Sequence, residues 1–411
     1  MAATGREFFT AKTVAQALAD FRPAHRTPIE VVGLNDAAGR IPAADLVAGE
    51  PLPGFDRSSV DGYAVRAQDT FGASEAIPAY LTLTGSVAMG ALAGCALAAH
   101  GAIAVPTGGA LPDGADAVVM IEYTQEAMAA TIEVVRPVAP GEGIVRADED
   151  IAPGATAARA GAPLRAQDIA MLAALGIPEL QVYARPAVTV LATGDELIAP
   201  DAGPVAPGQV RDALSSSVGA LVREAGGRPG AARIVRDDPG ALHDALAQAL
   251  TDSDVVVICA GSSVGARDET AAAVAAVPGA EIYCHGLAIK PGKPTLLAAS
   301  NGVPIIGLPG NPRSALVVFR LIGMPLVRRT GGWTAEHHGA STTRRLSRDL
   351  PSAAGRLDVA GVRLSGDQEV EPIFGPSALL SVLTSADGYV IVPEDANGLS
   401  AGETVEVFLY R

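Results

Sequence analysis

Between residues 185 and 330 the sequence alternates apolar runs of strand length with helical stretches. "AVTVLATG" reads as a buried strand, "SSSVGALVREAG" as a capped helix, "AARIVRD" as a strand, "PGALHDALAQAL" as a helix and "DVVVICAG" as another strand. "DETAAAVAAV", "VPIIGLPG" and the helix "PRSALVVFRLIG" continue the series. This alternation constrains the region to a mainly parallel sheet covered by helices and joined by right-handed crossovers. In such a sheet ligands bind where the carboxyl ends of the strands open, so the loops on that edge are the place to look for chemistry.

The rest of the chain reads differently. At 411 residues it is too long for one ordinary core, and two to four domains are expected. Thr13 and Gln16 have capping-box spacing ahead of a short opening helix. Residues 52–138 carry short β-like runs ("YLTLTGSV", "AIAVPTGG", "DAVVMIEYTQ", "TIEVVRPV") with turn signals at close intervals, which predicts a small β-rich domain. After the amphipathic helix "RAQDIAMLAALG" and the α/β region, residues 341–411 return to short strands such as "GYVIVPE" and "VEVFLY". They are expected to form a compact β unit.

A net charge of −15 with no basic run argues against nucleic-acid binding. It also means that an anionic ligand would require the few cations to be gathered locally. Cys95, Cys259 and Cys284 form no CxxC pair, no signal-peptide pattern opens the chain and no apolar run is long enough to cross a bilayer. A cytoplasmic protein away from the membrane is expected.

Four loops fall on the sheet edge: "ATGDEL" (192–197), "CAGSSVGARD" (259–268), "IKPGKP" (289–294) and "LPGNPRS" (308–314). Each combines glycine with polar or charged residues where a plain connection would need only a turn. After Gly194, Asp195 and Glu196 are adjacent carboxylates that suit a divalent cation or acid/base work, or simply cap the next turn. Asp268 could face the same point from the neighbouring strand. Gly261, Ser263 and Gly265 match the G-x-S-x-G nucleophile elbow of α/β hydrolases. That reading needs an acid and then a histidine downstream, and only His285, His337 and His338 follow. Small residues admitting an anion to backbone N–H groups explain the motif better. No histidine has metal-ligand spacing.

The chain holds three lysines, Lys12, Lys290 and Lys293, and two of them sit in "HGLAIKPGKPTLL" (285–297). A Walker loop is excluded, because Gly286 lies one residue too far from Gly292-Lys293 and Pro294 replaces the magnesium-binding hydroxyl. Lysine as a compact point charge on a proline-stiffened loop still suits pyrophosphate oxygens. Asn311, Arg313 and Ser314, at the start of the following helix, could add anion contacts.

With these loops in order the chain resembles the molybdopterin molybdenumtransferase family, which includes MoeA and the E domain of gephyrin. The resemblance spans nearly the whole length: "GRIPAADLVAGEPLPGFDRSSVDGYAV" (39–65), "TGGALPDGADAVVM" (107–120), "RADEDIAPG" (146–154), "TGDEL" (193–197), "GQVRD" (208–212), "SSVGARD" (262–268), "AIKPGKP" (288–294), "GLPGNPRSA" (307–315) and "GPSALLSVLTSADGYVIVPE" (375–394). It implies a multidomain α/β plus β protein and an elongated homodimer. Residues 1–51 with 139–184 would form a discontinuous dimerisation and linker domain, and 52–138 the β-rich insertion. Residues 185–335 would be the molybdopterin-binding α/β domain and 341–411 a small barrel-like β domain. The implied activity inserts molybdate into adenylated molybdopterin with Mg²⁺-dependent release of AMP. The family's functional positions would fall on Asp61, Thr107, Asp150, Glu196, Asp268, Lys290 and Ser377, with Asp61, Glu196 and Asp268 toward the metal. Asp61 and Thr107 would act across the dimer interface, and other proteins of the cofactor pathway are implied partners.

Several positions depart from the family pattern. A lysine is replaced by Gly286, a hydroxyl by Cys259, a glycine by Ala260, an asparagine by Leu214, and "GED" reads Asp148-Glu149-Asp150. A non-catalytic molybdopterin-binding or scaffold homologue is therefore the alternative, and a Ser263 hydrolase the third reading.

Overall fold

The computed structural model describes residues 11–92, 94, 96–128, 130–260, 264–334 and 339–410, with backbone alone at 239 and 264–268. In the α/β region the sheet order is Arg228–Pro229, Ala187–Thr193, Val255–Ala260, Val303–Pro309, Leu296–Ser300 and Ala280–His285, with Arg233–Val235 also paired to Ala187–Thr193. The first strands run parallel, as expected from the alternation. The last two form an antiparallel hairpin that also pairs antiparallel with Val303–Pro309, so the sheet is mainly, not wholly, parallel.

Every residue of Val255–Ala260 is buried, because helices cover both faces of the sheet. Val255, Val257 and Cys259 pack among Val218, Val222, Val318 and Phe319 on one face. Val256, Ile258 and Ala260 pack with Leu246, Ala249 and Val274 on the other. Full burial of each such side chain contributes about 1.5–3 kcal/mol. Asp238 caps the helix Pro239–Asp252 by accepting the Ala241 N–H at 2.8 Å. The buried Asp212 accepts the Leu214 and Ser215 N–H groups, each at 3.0 Å, where Leu214–Glu224 begins.

The opening helix Val14–Asp20 has the expected capping box between Thr13 and Gln16. Val14, Ala17 and Phe21 join the core of the α/β unit, and Lys12 bridges to Leu287. Within 52–138 lies a six-stranded mixed sheet ordered Ala117–Met120, Gly62–Val65, Gly101–Val105, Ala79–Ser86, Thr131–Val134 and Thr124–Met128. Near the C-terminus five strands close on themselves: Leu357–Ser365, Glu369–Pro372, Ser341–Leu346, Thr404–Leu409 and Gly388–Val392, which returns to Leu357–Ser365. This small barrel, filled by Leu346, Val362, Val370, Val390 and Val407, agrees with the expected β unit. A two-residue strand, Ile289–Lys290, leaves the α/β domain and pairs with the barrel strand, setting Lys290 opposite Asp358. Among the described residues no helix is long and apolar enough to cross a membrane.

Candidate active site

The parallel strands Ala187–Thr193, Val255–Ala260 and Val303–Pro309 all end on one edge, and the Lys290 loop reaches the same edge because Leu296 pairs with Gly307. Docking of the barrel there encloses a cavity of about 750 Å³. Lys290, Lys293, Arg313, Ser314 and Ser377 all line it, so five of the residues singled out in the sequence converge. The barrel adds Arg356 and Asp358, which sequence reasoning missed. Four cations therefore face one carboxylate in a chain of net charge −15.

Their hydrogen bonds divide the labour. Arg313 donates to the carbonyls of Gly375 and Val359, both at 3.2 Å, while its own N–H donates to the Ser377 carbonyl at 3.2 Å. It thereby ties the barrel to the α/β domain. Lys290 Nζ lies 3.0 Å from Oδ2 of the buried Asp358. Arg356 Nε is buried with no hydrogen-bond partner among the described residues. A buried donor left unpaired costs about 1–3 kcal/mol, a deficit that an anionic ligand would remove. Ser314 is buried, and Asn311, at the N-cap of Pro312–Val318, does not line the cavity among the described residues.

Two glycines shape the lysine loop. Gly292 has φ +122°, and a Cβ there would stand 2.4 Å from a Val318 methyl. Gly286 has φ +113° with open space around it, its nearest neighbour being the Lys293 carbonyl at 3.9 Å. A lysine at 286 would thus meet room but not a permitted backbone, at a strain of about 1–3 kcal/mol. The loop has been rebuilt around glycine here: the Gly286 N–H donates to the Thr295 carbonyl at 2.8 Å, and Gly286 O accepts from Cys284 Sγ at 2.9 Å.

Two small clefts lie further along the sheet edge. The first shares Pro294 with the cavity and also touches Ala260 and Thr270. The second shares Thr270 and reaches Thr193, Asp237 and Glu269. At that far end Asp195 and Glu196 are exposed, and the Asp237 N–H donates to Asp195 Oδ1 at 3.3 Å. A Cβ at Gly194 would lie 2.7–2.9 Å from the Glu196 carboxylate, so the carboxylate folds back over this glycine. Asp237 is the other residue missed in the sequence; its neighbour Asp238 caps the helix Pro239–Asp252. Lost hydration, and after it the charges of Glu196 and Asp195, hold the Asp237 carboxyl above its ordinary range, although a backbone hydrogen bond from Asp195 opposes them.

A raised carboxyl keeps its proton to higher pH in the folded state than in the unfolded one, so ionising it lowers stability as pH rises past the ordinary carboxylate value of about 4. Asp237→Asn should therefore match the wild type in thermal midpoint at low pH and exceed it increasingly as pH rises toward neutrality. A gap independent of pH would contradict the raised carboxyl.

Asp61 Oδ1 accepts the Thr107 N–H at 2.8 Å, so these two expected residues do meet, on the β-rich sheet. Asp150 is exposed, and its N–H bonds the Leu52 carbonyl at 3.0 Å. None of the three lines the cationic cavity among the described residues. Gly261 and Ser263 lie outside the described residues, while Gly265 and Asp268 belong to the helix Val264–Ala276, described there by its backbone alone. Among the described residues no three His, Cys, Asp or Glu groups are arranged to hold a metal ion.

Family models match three successive parts of the chain: the MoeA N-terminal region (domain I and II) over residues 11–176, the probable molybdopterin binding domain over 189–329 and the MoeA C-terminal region (domain IV) over 343–410. A putative molybdopterin biosynthesis protein of Methanocaldococcus jannaschii is 34% identical, with 93% of this chain and 92% of that protein aligned. The chain belongs to the MoeA family. Molybdopterin molybdenumtransferase 2 of Mycobacterium tuberculosis is 33% identical over 92% of this chain and 94% of its own length. The crystal structure of the molybdopterin biosynthesis moeA protein of Pyrococcus horikoshii matches with a TM-score of 0.85 at 32% identity, covering 98% of this chain and all of that one.

Membership makes the departures from the MoeA pattern interpretable. Cys259, Ala260 and Leu214 are all buried in the α/β core. Burial, and next the nearby Asp212 charge, push the Cys259 thiol far above its ordinary value, so it behaves as a small apolar side chain. Asp148 has φ +62°, a left-handed position that aspartate tolerates. These substitutions change packing and backbone rather than the cavity's set of charges.

Proposed function

We propose that this MoeA-family chain is a molybdopterin molybdenumtransferase, inserting molybdate into adenylated molybdopterin and releasing AMP. The observation that carries the proposal is the interdomain cavity, where an acidic protein assembles Lys290, Lys293, Arg313 and Arg356. A substrate with a pyrophosphate bridge, a terminal phosphate and an incoming oxyanion needs that concentration of positive charge. The unpaired Arg356 Nε and the Ser377 and Ser314 hydroxyls suit an oxyanion at the barrel end. Asn311 and the backbone around Gly261, Ser263 and Gly265 would meet the rest of the molecule.

Glu196, Asp195 and Asp237 lie together at the acidic end, and Asp268 and Asp61 of the partner subunit would join them. Hard carboxylate oxygens suit Mg²⁺, which is commonly held by one or two carboxylates together with substrate phosphates instead of a closed protein cage. Bound there, the ion would supply charge neutralisation and a template for the phosphate oxygens. The protein's own Lys290, Lys293, Arg313 and Arg356 hold the substrate's anionic groups in the cavity and orient them toward the acidic end.

We also propose a homodimer in which Asp61 and Thr107 of the partner subunit, with Asp150, complete each site. Residues 1–51 and 139–184 would serve dimerisation, around the 52–138 insertion, with the 185–335 and 341–411 units forming the cavity. The buried free thiols Cys259 and Cys284 suit the cytoplasm, where other pathway proteins would exchange the cofactor. AMP release that depends on molybdate tests the proposal. Tight cofactor binding without turnover would select the scaffold alternative in its place.

A further inference from the structure

The geometry points to Asp358 as a positioning residue for Lys290, which makes the C-terminal barrel a working part of the transferase site. This inference rests on the proposed function and assigns a task to a residue that contacts no substrate itself. Asp358 is 5% exposed, and its Oδ2 accepts two hydrogen bonds, from Lys290 Nζ at 3.0 Å and from Ser352 Oγ at 3.0 Å. The pairing is built into the backbone, because the strand Ile289–Lys290 adds to the barrel strand in a register that sets Lys290 directly opposite Asp358. Alternation along that strand turns Asp358 and Ala360 toward the cavity and Val359 toward the apolar cleft behind it.

A carboxylate among four cations opposes an anionic ligand unless it does something else. Here the carboxylate is buried and the ammonium is not: the Lys290 side chain is 52% exposed and the Asp358 side chain 8%. The arrangement resembles a post and an arm. Asp358 takes one of the three ammonium donors and leaves two for the cavity. A free lysine side chain would have to be ordered when substrate arrives, and holding it beforehand removes that entropy cost from the reaction. Ser352 holds Asp358 in turn.

The test combines turnover with a double-mutant cycle. Asp358→Asn keeps the shape and the Ser352 hydrogen bond but removes the charge. It should lower kcat for AMP release about tenfold. KM should stay level or fall, because the cavity loses a negative charge; a merely structural role would instead move both constants with the thermal midpoint. For the cycle, calorimetry with inorganic pyrophosphate compares wild type, Lys290→Met, Asp358→Asn and the double variant. Lys290→Met leaves a buried carboxylate with no counter-charge facing the anion, so the double variant should bind pyrophosphate more tightly than Lys290→Met alone. Additive effects in the cycle, or an Asp358→Asn kcat within twofold of wild type, would overturn the inference. If Asp358→Asn does not fold, Ser352→Ala takes its place, with a severalfold loss of kcat expected and no loss counting against the inference. A wild type that releases no AMP defeats the functional reading, while the pyrophosphate cycle still decides the role of Asp358.

Discussion

Lys290→Met is expected to lower the rate of AMP release by about a hundredfold to a thousandfold, the usual consequence of removing one preorganised donor from developing charge. Methionine keeps most of the stem, so packing against the loop should survive. What disappears is a point charge held 3.0 Å from Asp358 at the mouth of a cavity shared with Lys293, Arg313 and Arg356. The neighbours do not replace it. Arg313 is engaged with the Gly375 and Val359 carbonyls, and Lys293 lies across the Pro291–Gly292 turn. Lys290→Arg should recover little, because a planar fork cannot reproduce a compact ammonium in this register. Steady-state AMP release measured beside thermal denaturation separates the chemical loss from unfolding. Activity within a few-fold of wild type would show that the cavity's charge is not centred on this residue.

The second large effect concerns the proposed dimer. Asp61→Asn and Lys290→Met homodimers should each be nearly inactive, yet mixing them with subunit exchange should restore about a quarter of wild-type activity. Random pairing makes half the molecules heterodimers, and a site shared between subunits is intact once in each of them. The expectation rests on the proposed shared site: Asp61 accepts the Thr107 N–H beside the β-rich sheet, and neither residue lines the cationic cavity of its own chain among the described residues. No recovery on exchange would contradict a shared site.

The sequence made the scaffold of this site plain and left its closure hidden. The continuous apolar run "VVVICA" (255–260) and the capped helices around it could form little except a helix-covered sheet, and that layout alone brought the loops at 192–197, 289–294 and 308–314 to one edge. The hairpin Ala280–His285 with Leu296–Ser300 was not legible, because a single apolar run gives no strand direction. Asp358 was passed over for a related reason. In "GRLDVAGVRL" it occupies one position of an ordinary alternating strand, 68 residues from its lysine. Its presence at a buried position was the available signal, since burial of an unpaired carboxylate is costly. Asp237 offered a weaker signal, a second acid in "RDDP" beyond the one needed to cap a helix. Domain docking, which creates the cavity, leaves no periodicity in a sequence. Gly286 shows the reverse: an apparent loss by comparison with relatives becomes a backbone requirement at φ +113°.

The central claim is that the cavity transfers molybdenum and does not only bind its cofactor. Incubating the protein with adenylated molybdopterin and Mg²⁺, with and without molybdate, measures it most directly, following AMP and protein-retained molybdenum together. The account predicts molybdate-dependent AMP release matched one for one by molybdenum on the dithiolene. Retention of intact adenylated molybdopterin, with no AMP formed at any molybdate concentration, would contradict it.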